Sequence, residues 1–256
     1  QILTGIANFW FDKTKNIAPN HIISTPDPQV LIARKAKTLP VEVIVRNYIT
    51  GSLWREYKSG INGQYGFILP EGLRENQKFN TPILTPSTKA EYGLHDEPIS
   101  KDKIINELVD KNIYEQAEEC ALQLFDVGKK WANKNGLILV DTKYEFGLYN
   151  DELILIDEVH TPDSSRYWIE DQYEYNFSNN KPQAMLDKEN IRQWLINKGF
   201  SGSGVPPKLT DEARVMLSEK YIELYKILIG KDFVLEPGSV KERILQNLSI
   251  NTVNIK

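Results

Sequence analysis

Two acidic β-segments joined by a short polar turn constrain this chain most: Asp141-Thr142-Lys143-Tyr144-Glu145-Phe146-Gly147, then Leu153-Ile154-Leu155-Ile156-Asp157-Glu158-Val159, with Leu148 to Glu152 between them. Side chains alternate faces along a strand, so Asp141, Lys143 and Glu145 share one face and Thr142, Tyr144 and Phe146 the other. A charged face beside a strongly apolar partner strand suits a site for a divalent cation and a phosphorylated ligand. On spacing alone, the simpler account is an exposed amphipathic hairpin with solvated charges. Register separates the two. A two-residue loop at Asn150-Asp151 sets Glu145 across from Ile156 and turns Asp157 away. The metal reading therefore requires Glu145 opposite Asp157, through an odd-length loop centred on Asp151 or a bulge.

The rest of the composition excludes more than it selects. With 256 residues, 41% hydrophobic and 26% charged, the chain reads as an ordinary globular protein of one large or two smaller domains. A net charge of -4 gives no support to nucleic-acid binding. The single cysteine, Cys120, rules out an intrachain disulfide and a cysteine-based zinc site, and the cytoplasm is the natural compartment. No apolar run approaches the roughly 18 residues that span a bilayer, so no membrane is expected. The segment Ile2 to Phe11 reads as interrupted rather than begun, and residues upstream of Gln1 are expected.

Along the chain, Val30 to Ala33 and Val41 to Arg46 read as strands, the second alternating Val41, Val43 and Val45 against Glu42, Ile44 and Arg46. Thr50-Gly51-Ser52 opens a helix over Leu53 to Tyr57 with Ser52 as its N-cap. From Asn62 to Pro98 the chain reads as a long loop, and loops of that length often bind ligands. Ser100 to Asn135 is helical in two pieces, stopped at Gly136, with Ala117, Ala121, Leu124, Gly128 and Trp131 as a core stripe. Leu137 to Val140 feeds the first acidic strand, and His160 to Trp168 reads as a polar loop. Further helices are expected at Lys188 to Lys198, at Asp211 to Ile229, and near Val240 to Leu248, where Ser239 and Glu242 form a capping-box start.

Three places could carry chemistry besides the hairpin. Arg46 with the Thr50-Gly51-Ser52 turn offers a guanidinium and a helix start to an anion, although a capped strand-to-helix turn explains the same residues. Lys89, Glu91, His95 and Asp96 cluster between prolines, and a solvated loop accounts for them as well as a ligand site does. The run Asp163-Ser164-Ser165-Arg166 could recognise a carboxylate or be a plain polar loop.

Together these pieces resemble a known family. Pro40-Val41-Glu42-Val43-Ile44-Val45-Arg46-Asn47 with Thr50-Gly51-Ser52, the strand Asp141 to Gly147, and Asp157-Glu158-Val159 with Thr161-Pro162-Asp163-Ser164-Ser165-Arg166-Tyr167-Trp168 are similar, in that order, to the signatures of the SAICAR synthetases. The likeness runs from about Leu3 to Gly230. The segment from Thr85 through Glu97 resembles the longer variant of fungi and some bacteria. The resemblance implies an α+β, two-lobed fold with the site in the cleft. Residues 1–45 would be the remainder of a strand-rich nucleotide-binding lobe, 46–230 a larger catalytic lobe built on a mixed sheet, and 231–256 a C-terminal extension. It implies an ATP-dependent ligase of purine synthesis that joins the carboxylate of a carboxyaminoimidazole ribonucleotide (CAIR) to the amine of L-aspartate through an acyl phosphate.

Carried over by position, Glu145 and Asp157 would be Mg2+ ligands, and Lys143 would offset charge on the transferring phosphoryl group. Arg46 and Ser52 would contact CAIR. Lys89, Asp96 and Asp141 would surround its imidazole, with Asp141 and Lys143 the catalytic pair, and Ser164, Ser165 and Arg166 would hold a carboxylate. Thr38, Leu39 and Glu42 would contact the adenine of ATP. The family's basic, strand-rich segment over the ATP phosphates has no counterpart in this sequence. The rival readings are a metal-dependent phosphotransferase or phosphohydrolase built on Glu145 and Asp157, and a non-catalytic nucleotide-binding remnant.

Overall fold

The computed structural model describes residues 1–89, 96–200, 202 and 204–252. Its elements in chain order are α1 (Ile2–Thr14), the hairpin β1 (Ile22–Asp27) and β2 (Val30–Ala33), β3 (Lys37–Tyr48), α2 (Gly51–Lys58), β4 (Lys78–Leu84), β5 (Ser87–Thr88), α3 (Lys101–Glu107) and α4 (Lys111–Lys134). There follow β6 (Leu137–Tyr149), β7 (Glu152–Ile156), β8 (Ser165–Ile169), α5 (Glu170–Ser178), α6 (Glu189–Asn197), α7 (Asp211–Ile229) and α8 (Val240–Thr252). The α+β class stands. The sheet, expected to be mixed, is antiparallel at every pairing of named strands, because β6 takes its partners β7 and β8 by doubling back through short connections rather than through crossover helices. A single parallel bridge, Asn20 to Leu155, lies outside the named strands.

Two long central strands organise the six-stranded sheet, whose order is β4-β3-β6-β7, with β5 on β3 and β8 on β6. Their register pairs Glu42 with Glu145, Ile44 with Lys143 and Arg46 with Asp141. Directly opposed residues share a face, so these six side chains lie on one side, and Val41, Val43 and Val45 lie on the other with Tyr144 and Phe146. The apolar side joins the main core, closed by α4 through Ala117, Ala121 and Leu124 and by α1 through Ile6 and Trp10. On α1 the buried positions Ile6, Ala7, Trp10, Phe11 and Thr14 recur at helical spacing and make one stripe. Leu124 is fully buried, so its truncation to Ala would cost roughly 2–5 kcal/mol.

The charged side is not solvated. Glu42, Arg46, Asp141 and Glu145 are each 4–6% exposed, which removes the account of this hairpin as an exposed amphipathic ribbon. Side chains on that side must then satisfy one another or a ligand.

Local differences from the sequence reading have identifiable causes. Ser52 is not the N-cap of α2: Thr50 occupies that place, and the Ser52 hydroxyl instead accepts from Arg46 Nη2 at 3.2 Å. Thr81 and Pro82 sit in β4, an edge strand where a missing N-H is tolerated. The polar run from Ser165 becomes β8 because Ser165 and Arg166 pair with Thr142 and Asp141. The tail beyond Lys231 returns to the first hairpin. There Arg243 grips the buried Asp27 carboxylate (Nε to Oδ2, 2.9 Å; Nη2 to Oδ1, 3.3 Å) and Asn247 donates to it at 2.8 Å. Among the described residues, no helix is long and apolar enough to cross a membrane.

Candidate active site

The buried charged side of β3 and β6 floors a cavity of about 330 Å³, walled by Ser52 and Glu56 of α2, by Thr85, Ser87 and Asp96, and by Asp163 to Arg166 and Asp187 to Glu189. Two charge clusters lie on this side of the sheet, one of them reaching the cavity through Glu42 and Lys143. Glu145 lies four positions beyond Asp141 on β6, or roughly 13 Å along a strand.

At one end stand the acids. Lys143 Nζ donates to Glu42 Oε1 and Glu145 Oε1, each at 2.8 Å, and Lys89 Nζ donates to Glu145 Oε2. Burial pushes the Glu145 carboxyl up, but the two lysines outweigh it and hold it below the usual carboxylate range. Glu42 goes the other way, raised by burial against the pull of Lys143. The Lys143 ammonium, though disfavoured by burial, is held charged by both glutamates.

The turn joining β6 and β7 is the two-residue one, with both Asn150 and Asp151 at positive φ, and Glu145 pairs with Ile156. That is the register expected to turn Asp157 away. Asp157 nevertheless reaches Glu145, because β7 ends at Ile156 and Asp157 adopts a left-handed φ of 64°, which breaks the alternation of faces. Burial raises the Asp157 carboxyl, and the charge of Glu145 raises it further. Glu145 and Asp157 are thus not ladder partners, and neither the odd-length loop nor a bulge between β6 and β7 is present. Among the described residues no cluster of three or more His, Cys, Asp or Glu side chains has metal-holding geometry.

The loop bearing Asp157 is anchored from beneath. His160, also left-handed at φ 51° and fully buried, shares a hydrogen bond between Nε2 and the Tyr144 hydroxyl. Its ring lies 4.5 Å from that of Trp10, edge to face, in a notch left by Gly128, where a Cβ would stand 2.4 Å from its Cε1. Burial pushes the imidazole down to about 3. Neither His160 nor Gly128 was singled out as a support from sequence; a histidine one residue after the acidic strand was the available signal.

At the other end stand the arginines. Arg46 donates through Nε to Thr85 Oγ1 (2.7 Å), through Nη1 to Asp141 Oδ2 (2.9 Å) and through Nη2 to Ser52. Arg166 Nη1 donates to the same Asp141 oxygen, and its Nη2 lies 3.6 Å from Glu189 Oε2. The Arg166 guanidinium rests on Gly51, where a Cβ would come within 2.3 Å of Nη2, and Gly51 has φ 60°. Glycine is needed there on both counts. Ser165 shares a 2.7 Å hydrogen bond with Thr142, and Ser164 lies 3.4 Å from Ser165. Asp187 was missed. It is fully buried, accepts from the backbone N-H of Tyr167 and of Glu189 at 2.8 Å each, and so ties β8 to the start of α6.

Most of the residues expected at the site thus meet in one place: Arg46, Ser52, Asp96, Asp141, Lys143, Ser164, Ser165 and Arg166 line the cavity. Glu145, Lys89 and Asp157 do not line it and connect to it through Lys143, which bonds Glu145. Glu42 departs from its assignment to the adenine: it faces the cavity and holds Lys143. Thr38 and Leu39, at the start of β3, do not line the cavity. Glu91 and His95 lie outside the described residues.

An antiparallel sheet that buries paired carboxylates with lysines at one end and an arginine-clamped aspartate at the other defines an enzyme class that handles several anions in one cleft, as ATP-dependent ligases do. Comparison with known proteins narrows the class. A model of the SAICAR synthetase family matches residues 1–207. A phosphoribosylaminoimidazole-succinocarboxamide synthase of Bacteroides thetaiotaomicron is 47% identical over 252 residues, covering 97% of this chain and 80% of that protein. One from Legionella pneumophila (strain Paris) is 42% identical over 257 residues, covering 97% and 82%. Among solved structures, a SAICAR synthase from Saccharomyces cerevisiae complexed with SAICAR superposes with a TM-score of 0.77 at 34% identity, covering 91% of this chain and 82% of that one. The chain belongs to the SAICAR synthetase family, enzymes that ligate CAIR and L-aspartate at the expense of ATP in purine biosynthesis.

Proposed function

We propose that the cavity performs this ligation with its two charge clusters divided between the reactants: the Glu145 end serves the ATP phosphates, and the Asp141 end serves CAIR. The observation that carries the division is the β3–β6 register, which sets the two clusters on one buried face. A carboxylate is a poor acyl donor, because its leaving group would be oxide. One CAIR carboxylate oxygen therefore attacks the terminal phosphorus of ATP, the bond to ADP breaks, and an acyl phosphate forms. The aspartate amine then attacks the acyl carbon, the C–O bond to phosphate breaks, and the amine proton is lost to give the amide.

In this reading Lys143 and Lys89 face the negative charge that accumulates on the transferring phosphoryl group. Lys143 is partly buried, which strengthens its field, whereas Lys89 is exposed. Glu145 and Asp157 would hold Mg2+: they supply hard carboxylate oxygens, and their mutual repulsion, visible in the raised Asp157 carboxyl, is what a divalent cation relieves. When bound, the ion would neutralise phosphate charge and orient the phosphates. At the far end, Arg46, Ser52 and Arg166 bind the ribonucleotide phosphate, with Asp141 fixing both guanidinium groups beforehand. Asp96 and Asp141 accept from the amino-imidazole, and Ser164 and Ser165 receive a carboxylate. Thr38 and Leu39 contact the adenine. Residues 1–45 form part of the nucleotide lobe, 46–230 the catalytic lobe and 231–256 the extension, with β3 running through the boundary. The S. cerevisiae relative was solved with SAICAR and another similar structure with ADP, which supports a site of this kind.

The test is dependence on both co-substrates. ADP release that needs CAIR and L-aspartate together is expected; release indifferent to aspartate rejects the ligase in favour of a phosphotransferase or phosphohydrolase.

A further inference from the structure

A second and larger cavity, of about 670 Å³, adjoins the first and falls in the size range of small-molecule sites. Arg166 and Glu189 line both cavities, and Gly51 lies against Arg166 between them. Its own wall comes largely from α5, the segment that follows it to Met185, and α6, none of which contributes to the proposed chemistry.

Two features of that wall point to a ligand. Its aromatic rings are already partnered, since Trp168 is 1% exposed and Phe177 lies between Tyr173, 5.7 Å away, and the Arg74 guanidinium, 4.2 Å from its centroid, so the polar groups carry the argument. Arg55, Arg166 and Lys181 outnumber the lining acids Glu75 and Glu189, and among the described residues the Arg55 guanidinium has no hydrogen bond or ion pair. Gln183 is 6% exposed, yet among the described residues neither its amide oxygen nor its amide nitrogen has a partner. An amide buried in that state is costly, and a group that presents an acceptor beside a donor satisfies both of its ends at once. The edge of an adenine ring does so, and glutamine is a usual partner for it.

We propose that this cavity is a second ligand site, taking a purine nucleoside monophosphate with the base edge on Gln183 and the phosphate on Arg55 and Arg166. Because Arg166 also clamps Asp141, an occupant of the second cavity draws on the guanidinium that the first cavity uses for CAIR. Binding at one site then weakens binding at the other by the same factor.

The experiment is equilibrium dialysis of labelled AMP against the full chain, with the ATP end of the reaction cavity blocked by saturating Mg-ADP and with SAICAR left out, because an occupant of the CAIR end competes for Arg166. About one AMP retained per chain is expected. Gln183→Leu and Arg55→Ala should each weaken that binding about tenfold or more, the worth of one polar contact, and leave kcat unchanged. If Gln183→Leu lowers the melting temperature, the exposed Arg55→Ala decides alone. No AMP retained under the block, or retention indifferent to both substitutions, overturns the second site. A chain that fails to ligate but still binds AMP through Gln183 and Arg55 separates this inference from the proposed reaction.

Discussion

The carboxyl of Asp157 meets that of Glu145 although the two residues are not cross-strand partners. Ile156 faces Glu145 in the ladder, and one left-handed residue beyond the strand brings the second acid round. Placing two like charges together in a partly buried cleft is unfavourable without a counter-ion. Lys143 and Lys89 bond Glu145 directly and act on Asp157 only through space. Burial and the Glu145 charge outweigh that pull, so Asp157 stays raised and is the group through which pH should act.

Glu145→Gln should abolish magnesium-dependent turnover while the melting temperature changes little, since one charge is lost with almost no change in volume and Lys143 keeps Glu42. Near-normal activity at saturating Mg2+ would show that Glu145 is not a ligand.

Because Asp157 is raised, protons should compete with the metal at a higher pH than they would for an ordinary carboxylate. The Mg2+ concentration for half-maximal rate should climb as pH falls, and Asp157→Asn should raise it at neutral pH and flatten the dependence. An Mg2+ requirement that is unchanged in Asp157→Asn would refute the assignment.

Arg46→Ala should raise the KM for CAIR tenfold or more and leave that for ATP within a factor of about three, given that a charge-assisted bond is worth about 1.5–3 kcal/mol. It should also destabilise the fold, because the buried Asp141 is left with Arg166 alone. Equal weakening of both substrates would mean the reactants are assigned to the wrong ends.

Gly51→Ala probes the far end without removing a charge. The new methyl collides with Arg166, and the left-handed backbone disfavours alanine by about 1–3 kcal/mol. CAIR binding should fall with Arg166 displaced, and the KM for ATP should hold. Unaltered CAIR kinetics would show that Arg166 does not touch this substrate.

Sequence periodicity exposed the central strands well. The alternations in Val41 to Arg46 and Asp141 to Gly147 named both faces correctly, because a two-sided strand writes its burial into every second residue. Helix α4 was equally legible from its stripe and the glycine that ends it, and α7 from its terminal Gly230. What sequence could not give was the sign of burial: the same alternating charges suit solvent or a closed cleft, and only Arg46, Asp141 and Arg166 meeting from three strands decides. The Asp157 geometry was invisible because a single positive φ at an aspartate leaves no periodic trace. Strand β8 was hidden for another reason, since Ser165 and Arg166 are polar toward a buried polar site and so look like loop.

His160 gives the protein an acid-side weakness with a definite sign. Its folded value near 3 lies far below that of the unfolded chain, so the unfolded state binds the extra proton and stability falls as pH drops from about 6.5 toward 3. The contribution at pH 5 is a loss of about 2 kcal/mol relative to pH 7. Urea unfolding at the two pH values should show that loss as the difference between the protein and His160→Asn, because the raised carboxyls of Glu158 and Asp187, each about 7, act in the opposite sense over the same window in both. An identical pH difference in the variant would mean that His160 is not buried neutral.

Arg243 and Asp27 lie far apart in the chain, and their contact fastens α8 over the β1–β2 hairpin like a buckle. Cutting the protein back to the part that carries the catalytic cluster would strip this carboxylate of its arginine and its asparagine together. The shortened product would then fail through a loosened hairpin, with every reacting group still present.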